Sequence, residues 1–360
     1  MPSSVLHITN HFNPCTGGIE THVEKLCAEL QKLGFHAGVA CLNSCSYNAK
    51  SLPRYENVKG IEVFRFPYLD LRFYKIAPSV ISLFADYDII HVHGLGFLSD
   101  FSSITKPFHK KPLILTTHGG PFHTKSFLPF KTFYFSLQRP LLKGFDRVIA
   151  VSRRDQRLFS GVCRPVHISN GIDYAKLSSI KRKPEKGNLL FIGRISSNKR
   201  VDNLLRFLKY LGEGHRLIIA GEDWQGLQPS LEALAKNLGI GERAEFLGKV
   251  NETEKAELLK KAEFFVSASE YEGFGISALE AMAAGCIPVL SNIEAFRELV
   301  NKGSGLLADF SSPEKAAREF RKFKIEQNLI EIEKRCRNFA KAFDWTRIAE
   351  KTAHVYEPLF

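Results

Sequence analysis

The sequence predicts an α/β protein made of two doubly wound domains in tandem. Three observations carry that expectation. Short apolar runs alternate with helical stretches, which is the pattern of a parallel sheet covered by helices. The alternation restarts after Asn170. At 360 residues the chain is too long for one comfortable core and about right for two domains.

The first series opens with the apolar run Val5–Thr9, which breaks into a loop, Asn10 to Gly18. A helical stretch from Ile19 to Leu33 follows and stops at Gly34. His36–Cys41, Ile61–Phe66, Ile89–Val92, Leu113–Thr117, Val148–Val151 and Val166–Ile168 read as further short buried strands. Pro165 and the polar run from Lys181 to Asn188 read as linker or surface loop. The second series has strands at Leu189–Ile192, Leu217–Ala220, Glu245–Leu247, Phe264–Ser267, Ile287–Leu290 and Gly305–Leu307. Helical stretches at Val201–Leu211, Leu227–Leu238, Glu252–Ala262 and Ala278–Ala284 fill its gaps. The expected domains are therefore 1–168 and 169–343, with 344–360 a helix crossing back to the first.

Hydrophobic residues make up 44% and charged residues 24%, as in ordinary soluble globular chains. The apolar start at Val5 is too short for a secretory segment and lacks a basic flank. No run approaches the length needed to cross a bilayer, so a cytosolic chain is expected. Seven cysteines are scattered without zinc-finger spacing, Cys41 and Cys45 coming closest to a pair. Reduced thiols are the expectation, and no metal site. The formal charge of +12 calls for an anionic partner: nucleic acid, a sugar nucleotide or an anionic membrane.

Doubly wound folds bind ligands outside the carboxyl ends of their strands, so chemistry is sought there. The strongest string runs from Ser269 to Met282, directly after the strand Phe264–Ser267. Seven residues lie between Glu272 and Glu280, the first beside Gly273 and Gly275, the second in a helix. Such a loop turns backbone N–H groups toward one point at a helix start, which suits a diphosphate. Carboxylates beside it accept hydrogen bonds from sugar and ribose hydroxyls. A second string, Gly193-Arg194 followed by Lys199, succeeds the first strand of the second domain. Arg194 and Lys199 place two cations where a diphosphate leaving group gathers charge.

The stretch Glu272–Glu280 resembles the E-x7-E motif of retaining glycosyltransferase family 4, and Gly193–Lys199 is similar to that family's G-R-x4-K motif. The resemblance implies the GT-B fold, two Rossmann-like domains facing each other across a cleft, and a metal-independent reaction. It implies that Glu272 contacts donor-sugar hydroxyls and Glu280 the ribose, with the backbone of Phe274, Gly275 and Ile276 toward diphosphate and sugar. Arg194 and Lys199 would contact the diphosphate. Gly17-Gly18 is not the dinucleotide fingerprint, and no acidic residue follows the second strand at the proper place, which counts against an NAD enzyme. In the family such a Gly-Gly loop approaches the donor diphosphate.

Further matches run nearly end to end, from Thr9 to Trp345. His118 resembles the family's cleft histidine beside the donor sugar and reacting centre. The string Thr117-His118-Gly119-Gly120-Pro121-Phe122-His123-Thr124 resembles the mannosyltransferases that build xanthan and acetan repeat units on a lipid carrier. That likeness implies GDP-mannose as donor and a polyprenyl-diphosphate oligosaccharide as acceptor, with His123 on the acceptor side. Ser169–Asp173 looks like the family's interdomain hinge and Gly221-Glu222 like a turn of the second domain. Phe246–Val250 resembles the segment bordering the nucleobase, which assigns Lys249 and Val250 to it.

Asp86-Tyr87-Asp88 has the D-x-D form of metal-dependent transferases, but it precedes a strand and so lies at the wrong end of the sheet. With Arg194 and Lys199 available, no metal is required. The aromatic and basic run Phe127–Pro140 fits either a core helix with a basic face or an interfacial segment. A lipid-linked acceptor favours the second, a peripheral association with the inner membrane face. The reading is thus a hexosyltransferase acting on a glycan or lipid-linked acceptor, with the sugar nucleotide as donor substrate and no cofactor. A UDP-sugar-dependent glucosyl or N-acetylglucosaminyl transferase is the nearest alternative. A phosphorylase would need a pyridoxal-binding lysine, and an epimerase would turn over the donor without an acceptor. A basic nucleic-acid-binding protein would need a reader module or basic stripe, and neither is evident.

Overall fold

The computed structural model describes residues 3–45, 51–71, 74–119, 128–300 and 303–360. The chain forms two compact units: Met1–Gly171 together with Trp345–Phe360, and Ile172–Asp344.

The first unit holds strands β1 (Ser4–Ile8), β2 (His36–Leu42), β3 (Tyr55–Val58), β4 (Ile61–Phe66), β5 (Leu69–Asp70), β6 (Lys75–Ile76), β7 (Ile89–His93), β8 (Leu113–Thr116), β9 (Arg147–Ala150) and β10 (Val166–His167). Eight of them form one sheet in the order β10-β9-β8-β7-β1-β2-β4-β3, and β5 and β6 pair separately. All neighbours in the large sheet are parallel except β3 and β4. Val5, Leu6 and Ile8 are fully buried, as parallel strands covered on both faces require. Helices α1 (Gly18–Lys32), α2 (Phe97–His109), α3 (Leu128–Leu142) and α4 (Arg153–Ser160) complete the layers. Helix α1 buries Val23, Leu26, Cys27 and Leu30, a stripe of helical period, with Glu20 in its first turn and Lys32 in its last.

The second unit has β11 (Asn188–Ile192), β12 (Arg216–Ala220), β13 (Ala244–Gly248), β14 (Phe264–Ser267), β15 (Ile287–Ser291) and β16 (Leu306–Ala308). Their order, β13-β12-β11-β14-β15-β16, reverses direction between β11 and β14, and every pairing is parallel. This is the 3-2-1-4-5-6 order of a dinucleotide-fold sheet. The first unit reverses in the same way between β1 and β7. Around the second sheet lie α5 (Tyr174–Ser178), α6 (Val201–Leu211), α7 (Gln228–Asn237), α8 (Glu252–Lys261), α9 (Ile276–Ala284), α10 (Glu294–Leu299), α11 (Pro313–Glu326) and α12 (Leu329–Ala340). The last helix, α13 (Trp345–Tyr356), belongs to the first unit, where Trp345, Ile348 and Tyr356 pack with Val5, Leu26 and Ile89.

Three features depart from the sequence-based expectation. The strand Tyr55–Val58 and the small hairpin of β5 and β6 carry no continuous buried face, so no apolar run announces them. Cys15 and Cys45 form a disulfide, which corrects the expectation of reduced thiols throughout. They follow β1 and β2, adjacent strands whose carboxyl-end loops meet although 30 residues separate the two thiols. The run Phe127–Pro140 begins outside the described residues and continues as α3, in which Phe135 and Gln138 are buried and Leu137 is exposed. Among the described residues, no helix is long and apolar enough to cross a membrane.

Candidate functional site

In the second unit the geometry follows from the point of reversal. β11 and β14 are parallel neighbours, so the loops after them leave the sheet side by side at its carboxyl edge. One loop carries Gly193, Arg194 and Lys199, the other Ser269 to Glu272. The Lys199 ammonium donates to Glu272 Oε1, and the Ser269 hydroxyl donates to the same oxygen at 3.1 Å. Backbone contacts hold the two loops: Glu270 N donates to Asn198 O at 2.8 Å, and Asn198 Nδ2 donates to Tyr271 O at 3.2 Å. Lys199 and Glu272 keep 15% and 19% side-chain exposure, so the pair is accessible from solvent but poorly screened.

Arg194 is exposed, and its guanidinium lies 4.4 Å from the ring centroid of Trp224. The sequence reading missed Trp224. It follows β12, whose loop is bound to the Arg194 loop by Ile195 N donating to Glu222 O at 2.8 Å. Gly221 makes that approach possible, because a Cβ there would collide with the Gly193 carbonyl.

Helix α9 starts at Ile276, with Gly275 before it at a φ of +89° and Phe296 against it where a Cβ would stand. Phe274 is buried and Ile276 partly exposed. Glu280, on the same helix, is paired with Lys255 on α8 at 3.1 Å, and Lys255 also reaches Glu252 at 2.8 Å. Burial pushes the Glu280 carboxyl above the usual range, and the Lys255 cation pulls it back in part. Lys255 was not legible as a partner, since 25 residues and a strand separate it from Glu280. Lys249, exposed, and Val250, half-buried, follow β13.

In the first unit, Gly17 caps α1 in extended backbone, and Gly18 is that helix's first residue. The next two residues, Ile19 and Glu20, line a cavity of about 290 Å³ together with Thr9, Asn10, His93, His118 and Tyr134. Burial raises the Glu20 carboxyl above its ordinary range. Beside Tyr134, Asp100 accepts from Tyr74 Oη at 2.8 Å and Gln138 Nε2 at 3.0 Å.

His118 follows β8 and adopts a φ of +47°, a left-handed conformation sparsely used by residues with a side chain. Asp155 holds that turn: one carboxylate oxygen accepts from the Thr117 hydroxyl and the Gly119 amide, each at 2.8 Å. His118 Nε2 lies 3.1 Å from His93 Nδ1, and His93 Nε2 lies 3.0 Å from His7 Nδ1. Burial drives His7 down to about 3, His22 to about 4, and His91, His93 and His118 well below the ordinary imidazole range. These rings are neutral at pH 7. His7, His91 and His93, and separately His22, His93 and His118, offer nitrogen atoms within 4.8 Å of one another, the spacing a shared metal would use. Gly120 to Thr124, including His123, lie outside the described residues. Asp88 of the D-x-D string accepts from the Ser4 amide at 2.8 Å, at the amino ends of β1 and β7.

Two families match the two halves of the chain. Residues 16–176 match Glycosyltransferase Family 4, and residues 175–343 match Glycosyl transferases group 1. A GDP-mannose:cellobiosyl-diphosphopolyprenol alpha-mannosyltransferase from Komagataeibacter xylinus is 31% identical, over 98% of this chain and 92% of that protein. A protein of the same name from Xanthomonas campestris is 30% identical over 98% of this chain and 96% of its own length. Among solved structures, Anabaena Alr3699/HepE in complex with UDP superposes with a TM-score of 0.81 at 20% identity, over 99% of this chain and 100% of that one. Sucrose-phosphate synthase from Thermosynechococcus elongatus gives 0.76 at 19% identity, over 99% of both chains. The tandem sheets, the two second-unit strings and the full-length similarity converge: the chain belongs to glycosyltransferase family 4, has the GT-B fold, and is a hexosyltransferase.

Proposed function

We propose that this protein moves a mannosyl unit from GDP-mannose to a sugar hydroxyl of a polyprenyl-diphosphate-linked oligosaccharide, with retention of configuration and without a metal. The observation that carries the reading is the full-length similarity, near 30%, to two proteins named for that donor and that class of acceptor. The second unit holds the nucleotide sugar and the cavity of the first takes the acceptor. Arg194 and Lys199 bind the diphosphate, whose charge grows as the bond from anomeric carbon to phosphate oxygen breaks. Glu272 accepts from hydroxyls of the sugar and Glu280 from the ribose. The relatives' names specify an α product, and GDP-mannose carries its sugar in the α configuration, which supports retention. In a same-side substitution the acceptor oxygen bonds to the anomeric carbon, its proton passes to the departing phosphate, and GDP leaves. The cationic surface implied by the net charge of +12 suits an acceptor anchored in an anionic membrane.

The test is a donor and acceptor screen. GDP-mannose, UDP-glucose and UDP-N-acetylglucosamine are compared by thermal shift, then by transfer to a polyprenyl-diphosphate disaccharide with EDTA present. The expected result is stabilisation by GDP-mannose and an α-linked product by NMR. Stabilisation by a UDP-sugar alone would reassign the donor, a β-linked product would reject retention, and loss of transfer in EDTA would reject metal independence.

A further inference from the structure

Five histidines gather at the reversal point of the first sheet. His7 lies on β1 and is in register with His91 on β7, and His93 is two residues further along the same strand. Strand periodicity puts His91 and His93 on one face of the sheet. His118 emerges just after β8, the next strand over. The contacts within this group are selective. His91 is committed elsewhere: its Nδ1 pairs with Tyr356 Oη and its Nε2 with Thr116 Oγ1, each at 2.7 Å. His22 pairs through Nδ1 with Asn170 Oδ1 at 3.1 Å. What remains is a linear chain, His7 Nδ1 to His93 Nε2 and His93 Nδ1 to His118 Nε2. Its inner end, His7 Nε2, is buried without a partner among the described residues.

Proton counting limits the chain to two arrangements. A neutral imidazole carries one N–H and one lone pair. If His93 carries its proton on Nδ1, it donates to His118 Nε2 and must accept from His7 Nδ1–H. All three rings are then Nδ1–H tautomers, and the orphan at the inner end is a lone pair. If His93 carries its proton on Nε2, every ring inverts and the orphan is a buried N–H. A mixed arrangement sets two lone pairs or two protons against each other and loses a bond. Buried N–H groups without acceptors are rarer than under-satisfied acceptors, so the first arrangement is favoured.

We propose that His7 and His93 are positioning residues that hold His118 in its Nδ1–H tautomer, so that His118 offers a hydrogen-bond donor to the substrate. The tautomer assignment stands on geometry alone; its catalytic consequence rests on the transferase reading above. In water the Nε2–H form of a histidine side chain predominates, so the chain imposes the less common form. His118 lines the cavity of the first unit, and an Nδ1–H on it suits a sugar hydroxyl or a phosphate oxygen, either of which accepts.

The test uses the full chain labelled with ¹⁵N-histidine and long-range ¹H–¹⁵N spectra, which distinguish the two tautomers without any assay. The expected result is Nδ1–H for His7, His93 and His118 alike. A predominant Nε2–H form at His118 would overturn the inference. So would a stoichiometric response of these resonances to Zn²⁺ alone, because the same nitrogens would then be metal ligands. His93→Asn keeps a donor near the position of Nδ1 and should preserve the His118 tautomer, whereas His93→Phe should release it. If His93→Phe does not fold, the spectrum of the unsubstituted protein still decides. Turnover should fall about tenfold in His93→Phe with the donor KM little changed, and recover in His93→Asn. Equal turnover in both variants would overturn the positioning role. Full transfer by His118→Ala alongside an Nδ1–H spectrum would instead remove His118 from catalysis and leave the tautomer assignment intact.

Discussion

The Lys199 ammonium donates to the Glu272 carboxylate although 73 residues separate them in the chain. Parallel pairing of β11 with β14 makes that contact, because it sets the loops after the two strands side by side. Each group neutralises the other, and under the proposed function a donor would bring phosphate to the cation and hydroxyls to the carboxylate.

Replacing Lys199 with Ala should lower kcat by about 100-fold, the loss typical of one preorganised group that stabilises developing negative charge. Glu272→Gln should act chiefly on sugar recognition. Neither should cost more than about 2 kcal/mol of stability, since both side chains keep solvent contact. Steady-state kinetics and urea unfolding of the same preparations check both statements. A variant that unfolds early in proportion to its lost activity would assign that residue a structural role.

Asp155 braces the left-handed turn at His118 through the Thr117 hydroxyl and the Gly119 amide. Asp155→Ala leaves both donors without their acceptor and should cost about 1–3 kcal/mol. Activity should fall further than stability alone explains, because His118 loses its fixed backbone. Asp155→Asn, which keeps one acceptor oxygen, should recover part of both. Unchanged kinetics in Asp155→Ala would separate this turn from catalysis.

Trp224 is 61% exposed and lies under Arg194, while Trp345, the second of two tryptophans, is buried at 7%. A diphosphate drawn to Arg194 should therefore change indole emission when GDP-mannose is titrated in. Trp224→Phe should abolish the change and leave the calorimetric affinity within about a few fold, the loss expected for one exposed cation–π contact. Donor binding by calorimetry without any emission change in the parent would place the diphosphate away from Arg194.

The buried imidazoles make stability depend on pH. Burial lowers His22 from 6.5 to about 4 and His7 from 6.5 to about 3. Below pH 6.5 the unfolded chain takes up protons that the folded protein refuses, so stability falls as pH drops toward 4 and is undiminished at pH 7. Each ring contributes on the order of a few kcal/mol to that fall. His22→Leu should flatten the decline of the urea midpoint between pH 6.5 and 4. Parallel curves for parent and variant would show that His22 is protonated in the folded state.

The sequence by itself determined the fold class and the family. Buried parallel strands need unbroken apolar runs such as Leu189–Ile192, and those runs are local, so they can be read residue by residue. Gly193–Lys199 and Glu272–Glu280 are legible for the same reason, each being a contiguous string just after a strand. What the order of strands brings together was not legible. Lys255 beside Glu280, Trp224 beside Arg194, Asp155 beneath His118 and Cys15 against Cys45 all join segments whose nearness depends on which strands neighbour which. The histidine chain is the clearest case. His91-Val92-His93 can be seen in the sequence, but the pairing of β1 with β7, and of β7 with β8, puts His7 and His118 at either end of His93. A strand's own residues set its burial; only tertiary pairing decides which side chains exchange a proton, because a hydrogen bond acts over about 3 Å and sequence distance carries no such length.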